Sequence, residues 1–289
     1  MTEGIFGIII EIAYIPILLV MLEKERFKMS CFKIMSLLAI VDILSIVLSC
    51  IVTGWLAYKG AVYCTYPDFT YIAGCSAKSL WCCSCFIAMT LVTNRLIDLV
   101  FPKLSNILFH GSRTYFVLLL PVLYFVYFFF FNAPTIFSSR YHSWYFDPMI
   151  FEGRSLEYEN VPILFNNFFV VFATCFLYLM FSCVLGAKMK QVSTGSESRK
   201  IVSEQILVTE AYPYSLDSIQ IFFQSAMICA VNLMASMIYV IMNYIDVPFW
   251  LILLGQFNWQ LGNTAPVFIY LIFNRTIRNG VLRKLGLKV

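Results

Sequence analysis

Apolar residues gather into seven runs, 5–22, 34–57, 76–100, 114–137, 162–187, 220–245 and 249–273, separated by shorter stretches where charged residues, Ser and Gly collect. Each run is near the roughly 20 residues that an α-helix needs to cross hydrocarbon about 30 Å thick. A helix satisfies its backbone N–H and C=O groups internally, which is the condition for crossing lipid. The pattern predicts an all-α integral membrane protein, a seven-transmembrane helix bundle forming one domain over 1–289. No internal repeat or low-complexity tract divides it.

Composition agrees and sharpens the class. Apolar residues make up 61% of the chain and charged ones 12%, against about 45–50% and about 25% in soluble domains. A water-soluble fold has too little interior for that surface. Sixteen of the 20 Lys and Arg fall on one side of the boundaries between runs. They are Lys24, Arg26, Lys28 and Lys33; Arg95, Lys103 and Arg113; Lys188, Lys190, Arg199 and Lys200; and Arg275, Arg278, Arg283, Lys284 and Lys288. The other side holds Lys59, Lys78, Arg140 and Arg154. Because Lys and Arg are retained in cytoplasmic loops, the amino terminus is expected outside and the carboxyl terminus inside. The net charge of +4 is then a topology signal and no footprint for nucleic acid.

The first span is the weakest, being 18 residues with Glu11 near its middle. An acid there costs about 2.5–3.5 kcal/mol against a few tenths gained per Ile or Leu, so insertion is favoured narrowly. A cleaved signal peptide fits worse, since no basic segment precedes the run and no small-residue pattern follows it.

Of ten cysteines, Cys50, Cys82, Cys83, Cys85, Cys175, Cys183 and Cys229 lie inside runs, and Cys31 is on the inner side. They are expected to pack as small hydrophobes. Cys64 and Cys75 sit in or beside the first outer loop, where oxidation is possible, and are either bridged or free. No histidine cluster points to a metal, His110 and His142 fall on opposite sides, and no cofactor is implied.

The second outer segment, about 138–161, mixes Tyr141, Trp144, Tyr145, Phe146 and Asp147 with Glu152, Glu157 and Glu159. It reads as a cover over the bundle mouth, or as rings resting at headgroup level. The third inner segment, about 188–219, is rich in Ser, Gly and Glu. It is too polar for a core of its own, and is either a surface for a cytoplasmic partner or a solvated connection. After the last span, Ile277, Val281, Leu282 and Leu285 recur at helical spacing among basic residues, predicting a short amphipathic helix on the inner leaflet. Asn274 begins an N-x-T sequence that faces the cytosol and is not expected to be glycosylated.

Polar residues inside spans are expensive, and so are functional candidates. Asp42 has no partner in its own helical turn and must face the interior. Asn94, Arg95 and Asp98 close the third span, with Arg95 and Asp98 three apart on one helix face; a plain local ion pair is the simpler account of these two. The seventh span carries Gln256, Asn258, Trp259, Gln260, Asn263, Thr264, Pro266 and Tyr270. Pro266 removes a backbone hydrogen bond and frees a carbonyl that Asn or Thr can satisfy. The sixth span offers Gln224, Asn232 and Asn243 but no proline.

Leu38-Ala39-Ile40-Val41-Asp42, Asn94-Arg95, and Asn263 with Pro266 and Tyr270 resemble, in order and on the matching spans, motifs of rhodopsin-like G-protein-coupled receptors. A narrower resemblance is to the nematode class T serpentine chemoreceptors. Ser30-Cys31-Phe32-Lys33-Ile34-Met35, Gly60-Ala61-Val62-Tyr63-Cys64 with Pro67, Tyr71-Ile72-Ala73-Gly74, Trp81, Trp144 to Pro148, and Tyr270 through Arg278 carry it. Three features depart. The second outer segment has no cysteine, so the disulfide that ties it to the third helix in rhodopsin-like receptors cannot form, and any outer bridge must be Cys64 to Cys75. The aromatic-proline motif of the sixth helix is absent. The segment ahead of the first span is short.

The resemblance implies a non-enzymatic chemosensory receptor in the plasma membrane, of a sensory cilium by family likeness. It would bind a small molecule from outside and signal to a heterotrimeric G protein. It assigns Asn94, Arg95, Asp98, Asp42, Asn263, Pro266 and Tyr270 to the switch, and Trp81, Cys85, Gln256 and Trp259 to the ligand pocket. The main rival is a transporter or channel, which predicts paired repeats with broken helices or a ring of charges; the sequence has neither. A membrane-embedded enzyme needs an acid pair, a histidine cluster or an activated nucleophile, and Asp42 stands without one.

Overall fold

A computed structural model describes residues 2–148, 150–151, 155–198, 208–242, 244 and 247–287. Glu152, Arg154, Arg199, Lys200, Asn243 and Lys288 lie outside the described residues. Seven long helices form the bundle: α1 (Thr2–Met21), α2 (Ser30–Tyr58), α3 (Pro67–Val100), α4 (Arg113–Phe130), α5 (Val161–Ser198), α6 (Val208–Met242) and α7 (Phe249–Phe273). An eighth, α8 (Arg275–Lys284), follows at one end. Helix α3 is the axis, packing on α2, α4, α5 and α6, while α7 closes the ring against α6, α2 and α1. Among the described residues six helices, α1 to α6, are long and apolar enough to cross a membrane. The polar strip of α7 sets it apart from them.

Several boundaries differ from the hydropathy runs, each for a local reason. Helix α3 starts nine residues before the run at 76 because Pro67 stands at its first turn, where a fixed φ and a missing N–H suit a helix start. Helix α4 stops at Phe130, whereas the apolar run continued to 137. Pro134 disfavours helix in the residue before it, and the chain turns into a two-stranded hairpin, β1 (Ile136–Ser138) with β2 (Ser143–Tyr145). Phe137 pairs with Trp144 across this hairpin. Helix α7 has the bounds its run predicts.

Helix α2 contains a π-helical stretch, Val47–Val52, which widens the backbone ring and leaves a carbonyl to be satisfied from outside. The Gln260 amide of α7 donates to the Ser49 carbonyl at 2.8 Å. On the other side of the stretch α1 presses in without side chains between. A Cβ on Gly7 would come within 2.7 Å of Cys50 Cβ, and one on Gly54 within 3.0 Å of Gly4 N. Glycine interfaces of this kind let membrane helices approach closely, since lipid supplies no hydrophobic drive between them. Large apolar side chains such as Ile12, Phe116, Phe130 and Phe172 cover the outside, as a lipid-facing surface requires.

Candidate functional site

A cavity of about 400 Å³ opens beneath the hairpin, between α3, α5, α6 and α7. Trp81, Gln256 and Trp259 line it, as do Lys78, Trp144, Tyr145, Asn167 and Tyr239. Cys85 does not; it is buried one turn deeper, in the cluster that includes Trp81 and Trp259. The indole of Trp81 donates to Asn167 Oδ1 at 3.4 Å and stands edge-on to Tyr239, 6.3 Å between centroids. Beside Asn167, Asn166 accepts from the Tyr124 hydroxyl of α4 at 3.0 Å. These bonds fix the aromatic floor from three helices.

The hairpin is the roof. Its Ser143 hydroxyl donates to Gln256 Oε1 at 3.4 Å, and the Trp144 indole donates to Thr53 Oγ1 of α2 at 2.9 Å. The second outer segment is therefore a cover, with Trp144 turned onto the bundle. Burial, with Tyr141 nearby, pushes the Tyr145 phenol above its ordinary value, so it stays a neutral donor. Its hydroxyl is buried without a hydrogen-bond partner among the described residues.

At mid-depth, Asp42 is 1% exposed and accepts a 2.7 Å hydrogen bond from the Tyr14 hydroxyl of α1. Among the described residues no hydrogen bond joins Asp42 to Asn263. The Asn263 amide instead donates to the Trp259 carbonyl one turn away at 3.1 Å, leaving Asn263 Oδ1 buried and unpaired among the described residues. Nor does Asn263 serve Gly262, the residue four before Pro266. Tyr270 of α7 is fully buried within electrostatic reach of Asp42. Asp42 thus ties α1 to α2, while the Tyr270 hydroxyl is buried without a hydrogen-bond partner among the described residues.

At the basic end, Arg95 is held from two sides. Its guanidinium pairs with Asp98 at 2.7 Å and donates from Nε to Asn94 Oδ1 at 3.1 Å. Asn94, wholly buried, donates to the Ser30 hydroxyl at the start of α2 at 3.3 Å. Asp98 also accepts from Ser105 of the short helix Pro102–Phe109. The local ion pair is real and is one corner of a network that spans α2, α3 and the following helix. A second cavity, about 1000 Å³, is lined by Ser30, Lys33, Arg95 and Asp98.

The family model for the serpentine type 7TM GPCR chemoreceptor Srt matches residues 1–289. The chain belongs to the Srt family. Serpentine receptor class T-55 of Caenorhabditis elegans is 24% identical to this Srt chain over 281 residues, covering 96% of the chain and 72% of that relative. The crystal structure of squid rhodopsin has the same fold, with a TM-score of 0.68 at 10% identity over 98% of this chain and 83% of that one. The family is one of receptors, not enzymes, and its members are multi-pass membrane proteins.

Two further features of the Srt bundle concern the outer cysteines, left open by the sequence, and the surroundings of the last helix. Cys64 and Cys75 are both free thiols: Cys64 is exposed on the turn before α3, while Cys75 is buried inside it. Cys75 lies eight residues beyond Pro67 along α3, about 12 Å at the rise of a helix, so the two face different surroundings. The basic clamp of Lys78, which donates to the Ala133 carbonyl at 2.5 Å and to Asn132 Oδ1 at 3.4 Å, holds the hairpin to α3. Helix α8 does not offer its apolar face to lipid. Ile277 and Val281 are buried in the main core, and a Cβ on Gly280 would meet Val20 of α1 at 2.8 Å. Only Leu285 of the four predicted residues stays exposed. Asn274, buried, caps α8 through Ile277 N at 2.9 Å and donates to Gln224 Oε1 at 2.8 Å, so both ends of its amide are engaged.

The polar partners that sequence reasoning missed are Tyr14, Lys78, Asn167 and Tyr239. Lys78 had a signal: a lysine amid an apolar run, three residues before Trp81.

Proposed function

We propose that this Srt chain is a chemosensory receptor of a sensory-cell plasma membrane, with its amino terminus outside and its carboxyl terminus in the cytoplasm. A small molecule enters beneath the hairpin and occupies the cavity over Trp81 and Trp259. A heterotrimeric G protein engages the basic end, where Arg95, Asn94 and Asp98 lie. One observation carries the reading: the floor of the hairpin-end cavity belongs to α3 and α7, the helices that deeper down bear Arg95 and the Asn263–Tyr270 segment.

No covalent chemistry is required. A ligand that binds one arrangement of α3 and α7 better than another shifts the population between them, and tens-fold coupling corresponds to roughly 1–3 kcal/mol. In the arrangement described, Arg95 is engaged by Asp98 and Asn94. Release of that guanidinium is the switch step, with Asp42, Tyr14 and Tyr270 transmitting the movement of α7 to α1 and α2. Pro266 supplies the weak point in α7.

The test is G-protein nucleotide exchange in membranes carrying wild type or Arg95→Ala, across a panel of small volatile and soluble compounds. Agonist-dependent exchange on wild type and its loss in Arg95→Ala is the expected result. Unchanged responses in the variant defeat the switch assignment. Compound-dependent ion or solute flux in liposomes without exchange makes the chain a channel or transporter.

A further inference from the structure

Lys78 is 5% exposed, lines the cavity beneath the hairpin, and has no acidic partner among the described residues. None of the ion pairs among the described residues includes it. Its two acceptors, the Ala133 carbonyl and Asn132 Oδ1, are neutral, and an ammonium has three N–H donors. A buried cation without a counter-charge is costly, and the cost falls when an anion arrives.

From the α7 wall, Gln256 lines the same space. Its Oε1 accepts from Ser143, while its Nε2, 3% exposed as a residue, is buried with no hydrogen-bond partner among the described residues. A cation and an amide donor thus face one cavity above an indole floor.

We infer that the cavity takes a small monocarboxylate, its carboxylate seated on Lys78 and Gln256 and its apolar body on Trp81, Trp259 and Tyr239. The inference rests on reading the hairpin-end cavity as the ligand site. A carboxylate has about four acceptor positions, enough for the free ammonium proton and the Gln256 amide together. The volume of about 400 Å³ lies within the 300–1,000 Å³ common to small-molecule sites. Asp147 and Glu159 line the same cavity, with Glu159 exposed. A second acid group on the ligand would meet these like charges, so one carboxylate fits and two do not. Lys78 in turn disfavours an amine in the interior.

The probes are phenylacetate, indole-3-acetate and hexanoate, each with its methyl ester and primary amide, plus phenethylamine. They are titrated against the thermal midpoint of the purified full-length chain. The acids raise the midpoint at concentrations at least tenfold below their esters and amides. Lys78→Gln removes that preference, Lys78→Arg keeps it, and Gln256→Leu weakens the acids a few-fold. Esters acting as well as acids, acids acting equally on Lys78→Gln, a preference for phenethylamine, or no shift with any acid each overturn the inference. If Lys78→Gln does not fold, the comparison of acid with ester on wild type and Lys78→Arg decides alone. Nucleotide exchange separates the two readings: acid binding without exchange leaves the Lys78 site and removes the receptor mechanism. Exchange driven by neutral compounds, undiminished in Lys78→Gln, does the reverse.

Discussion

A Cβ placed on Gly74 would lie 1.6 Å from the Thr135 carbonyl oxygen, and the Thr135 hydroxyl donates to the Gly74 carbonyl at 3.3 Å. The segment leading into the hairpin therefore rests on the bare backbone of α3. With the Lys78 clamp a turn away, this contact does for the Srt bundle what a disulfide does in rhodopsin-like receptors.

Gly74→Ala cannot be absorbed by a flexible side chain, because the obstacle is backbone. The expected cost is about 1–3 kcal/mol from overpacking. The variant should melt several degrees lower in detergent, and a cysteine placed at Ser143 should gain reactivity to a polar maleimide. An unchanged melt with Ser143→Cys still protected would contradict the contact.

Cys64 and Cys75 predict different labelling. A membrane-impermeant maleimide added to intact cells should modify Cys64 rapidly and leave Cys75 untouched until the protein unfolds. Dithiothreitol should not move the melting temperature. A reductant-sensitive midpoint would restore the bridge, and Cys64 labelled only after permeabilisation would reverse the orientation.

Tyr14→Phe leaves the buried Asp42 carboxyl without its hydrogen bond, at about 1–3 kcal/mol. Asp42→Asn keeps an acceptor for Tyr14 and should cost less. Thermal midpoints of the two single variants and the double, taken as a cycle, should show coupling between the positions; additive effects would separate them.

Asp98→Asn should cost about 1 kcal/mol of stability, since Asp98 is a third exposed and the amide oxygen can still accept from Arg95 and Ser105. Its effect should appear in basal nucleotide exchange, raised several-fold as Arg95 loses its strongest partner. Basal exchange equal to wild type in a variant of normal surface abundance would count against the Arg95 lock.

Asn274→Ala removes both the cap of α8 and the partner of Gln224, for about 1–2 kcal/mol. Asn274→Asp retains the cap and loses only the donated bond. Melting in the order wild type, Asp, Ala is expected, and equal melting of Asp and Ala would show that the cap contributes nothing.

How far the residues themselves carried the reading depends on the distance over which each feature acts. Phe249–Phe273 has the bounds of its hydropathy run, because hydropathy and the proline before it act locally. Helix α4 ends seven residues before its apolar run does, since Phe131 and Ile136 are as apolar as the helix they follow and Pro134 alone marks the turn. Arg95 and Asp98 are close in the chain, so their contact was legible. Tyr14 and Asp42 are 28 residues apart, and the bond between them depends on how two helices are rotated.

That rotation separates what sequence alone determines from what it cannot. Seven helices, their order, the membrane as solvent and the family follow from sums over roughly 20-residue windows and from short motifs, all one-dimensional quantities. Which face of α3 meets the hairpin, why Lys78 ends beside Ala133 rather than in water, and why Ile277 packs on α1 instead of lipid were decided in three dimensions. Helices apolar all round carry no stripe to announce their inward side. Their facing is set by close backbone approaches at Gly7, Gly74 and Gly280 and by polar groups that must find partners across the bundle.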